Sequence, residues 1–545
     1  ALRIFTMVNM KPRDIQVEAI RKCITAYENG AEYVILEAPP GVGKSHISVA
    51  LASIYGGNAY FTTLTAQLQS QYLDLFSKPL GMRALKGRGK YQCGRGGGES
   101  CTVGKELYTG DDACYGPPDK SSRDPELPHG DDAACPYLFS KQAAFNSPYM
   151  MANYHSFLAN IGQASSYVGT DDAVVGDDAP NVIRPFMVLD EAHTVENTLL
   201  EMTGVSFNLK KLGFQTAALP PGETDLAPYV EWMKGVLPLL RTREKVLSDA
   251  TEKDEMRSLI RRVSLVISKI AQGADYIIER NSDFETGALR NDGFAIKPLR
   301  VHEYGRWFRG YGKRCLLMSA TVLDAGQLGT NIGLDLSKGD FVQMGSVFPK
   351  ENRPIVVTPL DMRKSARDYS WPRAAQLVNS LLTHHSREKG LLLCPSNEML
   401  KFIAANVSKL NRMRLIFAYG RDREAKYKEH LLSSSPTVLA ASGYWEGADL
   451  KDDSSRFQLI PALPRPMWHG QIKARAKVDP AWYRWLTFTK FLQGTGRSVR
   501  SESDEAITYL FDKEFVEEMN RPSGSMIPPW VKEAVRVVGQ QEGTV

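Results

Sequence analysis

Along the first 80 residues the apolar positions switch between two periods. In "RDIQVEAIRKCITAYENG" they fall at Ile15, Ala19, Ile20 and Cys23, a helical spacing that Gly30 closes. "YVILEAPPGVGKSHISVALASIY" is a β-branched run, a glycine turn and a helix, and "AYFTTLTAQLQSQYLDLF" repeats strand then helix. Strands alternating with helices predict a parallel, doubly wound α/β sheet. Residues 81–135 break this rhythm with Gly, Pro, Asp and Cys, the mark of an insertion, before "PFMVLDEAH" resumes the sheet as a buried strand. From about 206 to 298 a second, mostly helical insertion is expected. There Met256, Leu259, Ile260, Val263, Ile267 and Ile270 share one face of a long charged helix. "RCLLMSAT" returns to a buried strand near 315–321. After about residue 350, "GLLLCPS", "RLIFAYG", "TVLAASGYWEGADL", "RFQLIPALP" and "AITYLF" mark a second α/β domain.

Composition narrows the class without naming a function. The 545 residues allow roughly three or four domains, and 43% apolar with 24% charged residues is ordinary for a globular chain. A net charge of +5 suits a polyanionic partner but does not require one. No N-terminal stretch has the order of an export signal, and no apolar run reaches membrane-spanning length. Seven cysteines, an odd number, argue against a disulfide framework, so a cytoplasmic location is expected.

Three strings carry candidate chemistry. "APPGVGKS", Ala38 to Ser45, follows a strand and opens a helix, the setting a phosphate loop needs. Gly41 and Gly43 let backbone N–H groups approach phosphates, Lys44 can reach the β- and γ-phosphates of ATP, and Ser45 can hold Mg²⁺. The first glycine of the usual pattern is Ala38 here. "VLDEAH" puts Asp190 and Glu191 at a strand end, where one carboxylate can bind Mg²⁺ through water and the other polarise the attacking water. A surface turn with two acids is the plain alternative. "QGTGRSVR" carries Gln493, Arg497 and Arg500, the arginines three apart and on one face if helical. They would stabilise charge on a γ-phosphate, or else form a solvated basic face.

The order "APPGVGKS", "DEAH", "SAT" (Ser319 to Thr321), "YWEGADL" and "QGTGRSVR" resembles a superfamily 2 helicase. "WEGADL", with "CPY" at Cys135 followed by "ANYHSFL", is similar to the XPD/DinG family of iron–sulfur helicases. The resemblance implies an α/β fold of two RecA-like P-loop motor domains. It implies an iron–sulfur insertion between the first and second motifs, and an arch between the second and third. The expected division is motor domain 1 in 1–80, 151–205 and 299–335, the cluster insertion in 81–150, a helical arch in 206–298, and motor domain 2 in 336–545. It also implies Arg13 and Gln16 near the adenine, and Ser319 and Thr321 coupling ATP state to domain motion. Glu446, Gly447 and Asp449 would link the nucleotide cleft to DNA, Gln493 would lie beside the γ-phosphate, and His193 is a further member.

Four cysteines need an account of their own. Cys23, Cys315 and Cys394 sit among apolar neighbours, as packing cysteines do. Cys93, Cys101, Cys114 and Cys135 lie in glycine-rich, polar surroundings, with spacings that lack the close pairs of structural zinc. Four thiolates are the complement of a 4Fe–4S cluster, which can organise a segment unable to build its own core; zinc stands as the alternative. The expected activity is ATP-dependent translocation along single-stranded DNA, 5′→3′ by resemblance, acting on junctions with a 5′ tail, as a monomer without membrane. The rival is an ATP-gated single-strand binding or remodelling factor. A P-loop kinase is disfavoured because "DEAH" and "QGTGRSVR" fall in separate domains. "YGRDREAKYKEH" and "HGQIKARAKVDPAWYRWLTF" interleave bases with aromatics, which suits backbone contact and base stacking, or equally surface lysines and buried aromatics.

Overall fold

The computed structural model describes residues 5–6, 10–93, 100–101, 135–160, 183–213, 219–220, 222–282, 289–445 and 449–538. Two parallel sheets dominate it. The first starts with β1 (Tyr33–Glu37), β2 (Ala59–Thr63), β3 (Arg83–Leu85), β4 (Tyr149–Asn153) and β5 (Arg184–Asp190). β1 and β2 are buried at every position, which is why neither shows the apolar–polar alternation of a half-exposed strand. Helices α1 (Asp14–Glu28), α2 (Lys44–Ile54) and α3 (Ala66–Leu80) follow the expected periods, α1 burying Ala19, Ile20 and Cys23. α4 (Val195–Thr203) leaves the end of β5.

The chain then builds a separate layer from β6 (Val205–Asn208), α5 (Ala227–Val246), α6 (Ala250–Ala271), β7 (Tyr276–Ser282) and β8 (Leu289–Pro298). The layer is mostly helical, as expected, but its two helices pack on a three-stranded antiparallel sheet in the order β6-β8-β7 that was not expected. β7 and β8 carry the Glu279–Lys297 ion pair on one face, so "YIIERNS" hides a strand in a charged segment. The face expected on the long helix does pack inward, with Met256, Leu259 and Val263 buried beside Phe207, Tyr229 and Phe294.

β9 (Gly312–Ser319) and β10 (Gly339–Gln343) complete the first sheet, in the order β10-β1-β9-β5-β2-β4-β3. Three boundaries shift as a result. β3 and β4 pair within this sheet, so the first insertion is narrower than 81–150, and β10 pairs with β1 beyond the boundary set at 336. The second sheet holds β11 (Ile355–Val357), β12 (Gly390–Leu393), β13 (Leu415–Phe417), β14 (Val438–Ala441), β15 (Phe457–Ile460), β16 (Ile507–Leu510) and β17 (Val535–Val537). Its order is β13-β14-β12-β15-β16-β11-β17.

Two consecutive helices, α7 (Gly470–Val478) and α8 (Pro480–Thr495), join the sheets. The stacking role offered for their aromatics is corrected: Trp482, Trp485 and Phe488 are core residues, each at most 1% exposed. Arg475 on α7 and Glu196 on α4, both 1% exposed, form a salt bridge. Trp482 Nε1 donates to the other Glu196 oxygen at 2.9 Å, and Arg475 donates to Asn331 Oδ1 at 2.8 Å. Removing one member of such a pair leaves the other charge buried and unmatched. Glu196→Ala is therefore expected to cost about 3–5 kcal/mol, read as a lowered thermal midpoint, with Glu196→Gln losing less because it keeps the tryptophan's acceptor.

Candidate functional site

The loop after β1 turns on two glycines with left-handed backbones, Gly41 at φ 83° and Gly43 at φ 88°. A Cβ on Gly41 would overlap the Phe348 ring, and one on Gly43 the Gln16 amide, so glycine is required twice over. Gly43 caps α2, whose free N–H groups face the loop. Lys44 Nζ rests on the Ala38 carbonyl at 3.1 Å. Arg13 donates to the Gly41 carbonyl at 2.5 Å and lies 3.7 Å from Glu502 of the second domain. Gln16 accepts from the Arg13 N–H at 3.0 Å, while its buried Nε2 has no partner among the described residues. That orphan donor, beside the phosphate loop, suits a ligand acceptor.

β5 delivers Asp190 to the same corner. Tyr72 on α3 donates to Asp190 Oδ2 at 3.0 Å, and the Glu191 N–H to Oδ1 at 3.0 Å. Burial first, then the Glu191 charge, push the Asp190 carboxyl up to about 7 against the pull of Lys44 and Tyr72. A dry corner with two acids is short of positive charge, and a divalent cation held by Asp190 and the Ser45 hydroxyl would supply it. Glu191 itself adopts a left-handed backbone at φ 58°.

From there a hydrogen-bond chain crosses between the sheets. His193 Nδ1 lies 2.8 Å from Ser319 Oγ, and Ser319 Oγ accepts from the Thr321 N–H at 3.0 Å. Gln493, near the end of α8, donates to Thr321 Oγ1 at 2.7 Å and lies 3.4 Å from His193 Nε2. α8 ends at Thr495, so Arg497 and Arg500 do not share a helical face; Arg497 sits in the turn that follows and Arg500 in the irregular chain beyond it. Arg497 Nε donates to the Gln493 carbonyl at 2.9 Å, and Arg500 Nε pairs with Asp449 at 2.9 Å. Pro40, Lys44, Glu191, Thr321, Gln493 and Arg497 line one cleft of about 510 Å³, with Asp449 and Arg500 on its wall. Glu446 and Gly447 lie outside the described residues.

Sequence reasoning missed four contributors. Tyr72 holds Asp190, and Phe348, Arg353 and Trp530 line the cleft from the crossover and the C-terminal segment. None belongs to a recognisable string, because each reaches the site through the fold and not through spacing.

Of the four polar-segment cysteines, Cys101 and Cys135 come together. Burial, then the neighbouring Cys135, push the Cys101 thiol up to about 11, opposed by Arg88. An antiparallel bridge between Gln92 and Ser100 runs beside Cys93 and Cys101. Cys114 lies outside the described residues, and among those described no three or more His, Cys, Asp or Glu are grouped to hold a metal. Cys23, Cys315 and Cys394 are core residues whose thiols burial pushes up, to about 12 for Cys23 and Cys315.

Known proteins share both halves. A family model described as the helicase C-terminal domain matches residues 380–534, and one described as the res subunit of type III restriction enzymes matches 9–214. The ATP-dependent DNA helicase YoaA of Haemophilus influenzae is 20% identical, with 93% of this chain and 91% of that protein covered. Among solved structures, Xpd4 of S. tokodaii superposes with a TM-score of 0.57 at 14% identity, over 96% of this chain and all of that one. An XPD helicase structure reaches 0.60 at 15% identity, over 97% of this chain and all of its own. The fold is thus two RecA-like domains with insertions, and the motifs stand on it in the expected order. In fold, motif order and relatives the chain is thus similar to XPD/DinG-like helicases of superfamily 2.

Proposed function

We propose that this chain is an ATP-dependent DNA helicase that translocates 5′→3′ along single-stranded DNA. The observation that carries this reading is Gln493 of the second domain hydrogen-bonded to Thr321 and close to His193 of the first, across a cleft holding Lys44 and Arg497. In this reading the loop N–H groups and Lys44 seat the phosphates, and Gln16 with Arg13 reads the base. Glu191 orients the attacking water. Mg²⁺, held by Ser45 and Asp190, would neutralise phosphate charge. Arg497 and Arg500, supplied from the second domain, stabilise the charge that grows on the transferred phosphoryl group. Loss of that phosphoryl group removes a counter-charge for the arginines, and the cleft opens. Repeated closure and opening against a bound strand is translocation.

Single-stranded DNA and junctions with a 5′ tail are the proposed substrates, the protein acting as a monomer in the cytoplasm. Among the described residues no helix is long and apolar enough to cross a membrane. A 4Fe–4S cluster on Cys93, Cys101, Cys114 and Cys135 is proposed to order the first insertion. What supports it is the close approach of Cys101 and Cys135, from opposite ends of the segment, beside the Arg88 guanidinium.

Lys44→Ala is expected to abolish ATP turnover while single-strand binding persists, because the lysine acts on phosphate and not on DNA. Steady-state phosphate release with and without oligonucleotide measures this, and near-wild-type turnover would remove the nucleotide-site reading. For the cluster, Cys135→Ser should lose the visible chromophore of anaerobically purified protein, and its iron, whereas Cys394→Ser should keep both. A zinc-only wild-type protein would contradict it.

A further inference from the structure

The antiparallel sheet of the second insertion meets the motor at α4, where Tyr276 donates to the Thr203 carbonyl at 3.2 Å, and at the first turn of α7 in the second domain. Glu279 on β7 has a side chain only 13% exposed, and its Oε2 pairs with Lys297 Nζ of β8 at 2.5 Å. Its Oε1 accepts from the Gln471 N–H in the first turn of α7 at 2.7 Å. The fit is tight: Gly470 lies at φ 49°, and a Cβ there would overlap the Glu279 carboxylate. Gln471, itself buried, donates from Nε2 to the Leu299 carbonyl just after β8, at 3.3 Å.

From this seat α7 and α8 lead to the nucleotide cleft, tied to the first domain by polar contacts at several points along their length. The other end of α7 carries Arg475, locked to Glu196 three residues beyond His193. Asp479 Oδ1 caps α8 through the Trp482 N–H at 3.1 Å, and Oδ2 accepts from Gln327 Nε2 at 3.2 Å. Trp485 Nε1 donates to the Val322 carbonyl at 2.8 Å, one residue past Thr321. α8 then presents Gln493, which closes the line on Thr321 itself.

We propose that Glu279 is a positioning residue: it seats α7 on the insertion, so that a strand held by the insertion is sensed along α7 and α8 at Gln493 and Arg497. This rests on the motor reading above. The physical basis is that two packed helices tied at both ends by buried polar contacts move as one body. A shift of the insertion must therefore either break the Glu279 contact or displace α8.

The test compares wild type, Glu279→Ala, Glu279→Gln and Gly470→Ala in ATP turnover with and without oligo(dT), with oligo(dT) affinity and melting temperature measured alongside. Glu279→Ala should retain basal turnover, the KM for ATP and oligo(dT) affinity, yet lose about 5-fold or more of the stimulation by DNA, the scale of an ordinary coupling between sites. Glu279→Gln keeps an acceptor for the Gln471 N–H and should retain most of the stimulation. Gly470→Ala displaces the carboxylate and should lose it. Full stimulation in both Glu279→Ala and Gly470→Ala overturns the proposal, as does equal loss of basal and stimulated turnover, which is the signature of a merely structural contact. Wild-type protein whose ATP turnover ignores DNA would overturn the motor reading and this coupling with it.

Discussion

A guanidinium and a carboxylate stripped of water stand at the joint between the two sheets. Burying Arg475 and Glu196 costs several kcal/mol per ion unless geometry and further hydrogen bonds compensate, as the Trp482 indole and Asn331 amide do here. The pair is placed where its accuracy matters. Glu196 belongs to the helix that begins just after His193, and Arg475 belongs to the helix that leads into Gln493's helix. One contact thus sets the acids of the first sheet against the glutamine and arginines of the second. An apolar substitute of equal volume could hold the sheets together, but would not fix their rotation through directional bonds.

Around that joint, charge is distributed as a nucleotide site requires. The loop offers free N–H groups and a lysine, while Asp190 and Glu191 crowd negative charge into a dry corner and lift the Asp190 carboxyl to about 7. Arg500 is held by Asp449 and Arg497 by backbone carbonyls. Both arginines therefore have partners to exchange when an anion enters, a natural way for one ligand to alter contacts in the second domain.

Much of this was legible in the sequence because it is local. Buried parallel strands such as β1 and β12 announce themselves as β-branched or leucine runs, and Ala38–Ser45 places its glycines where the backbone needs positive φ. Packing cysteines were separable from the others by their neighbours alone. Three-residue strands such as β11 and β17 are too short to carry a period, and the strands at 276–298 were masked by the charged residues within them. The interleaved tryptophans of α8 were legible only as aromatic; that Trp482 and Trp485 are buried depends on partners well over a hundred residues away. Tyr72, Arg353 and Glu279 were invisible for the same reason.

Hydrolysis in this cleft is proposed to drive strand separation and not merely to gate grip. Strand displacement measures it directly, on two duplexes differing only in whether the single-stranded tail is 5′ or 3′. ATP-dependent release from the 5′-tailed duplex, with the 3′-tailed one left intact, is the predicted result. Release from neither duplex, by protein whose ATP turnover is stimulated by the same DNA, would contradict it.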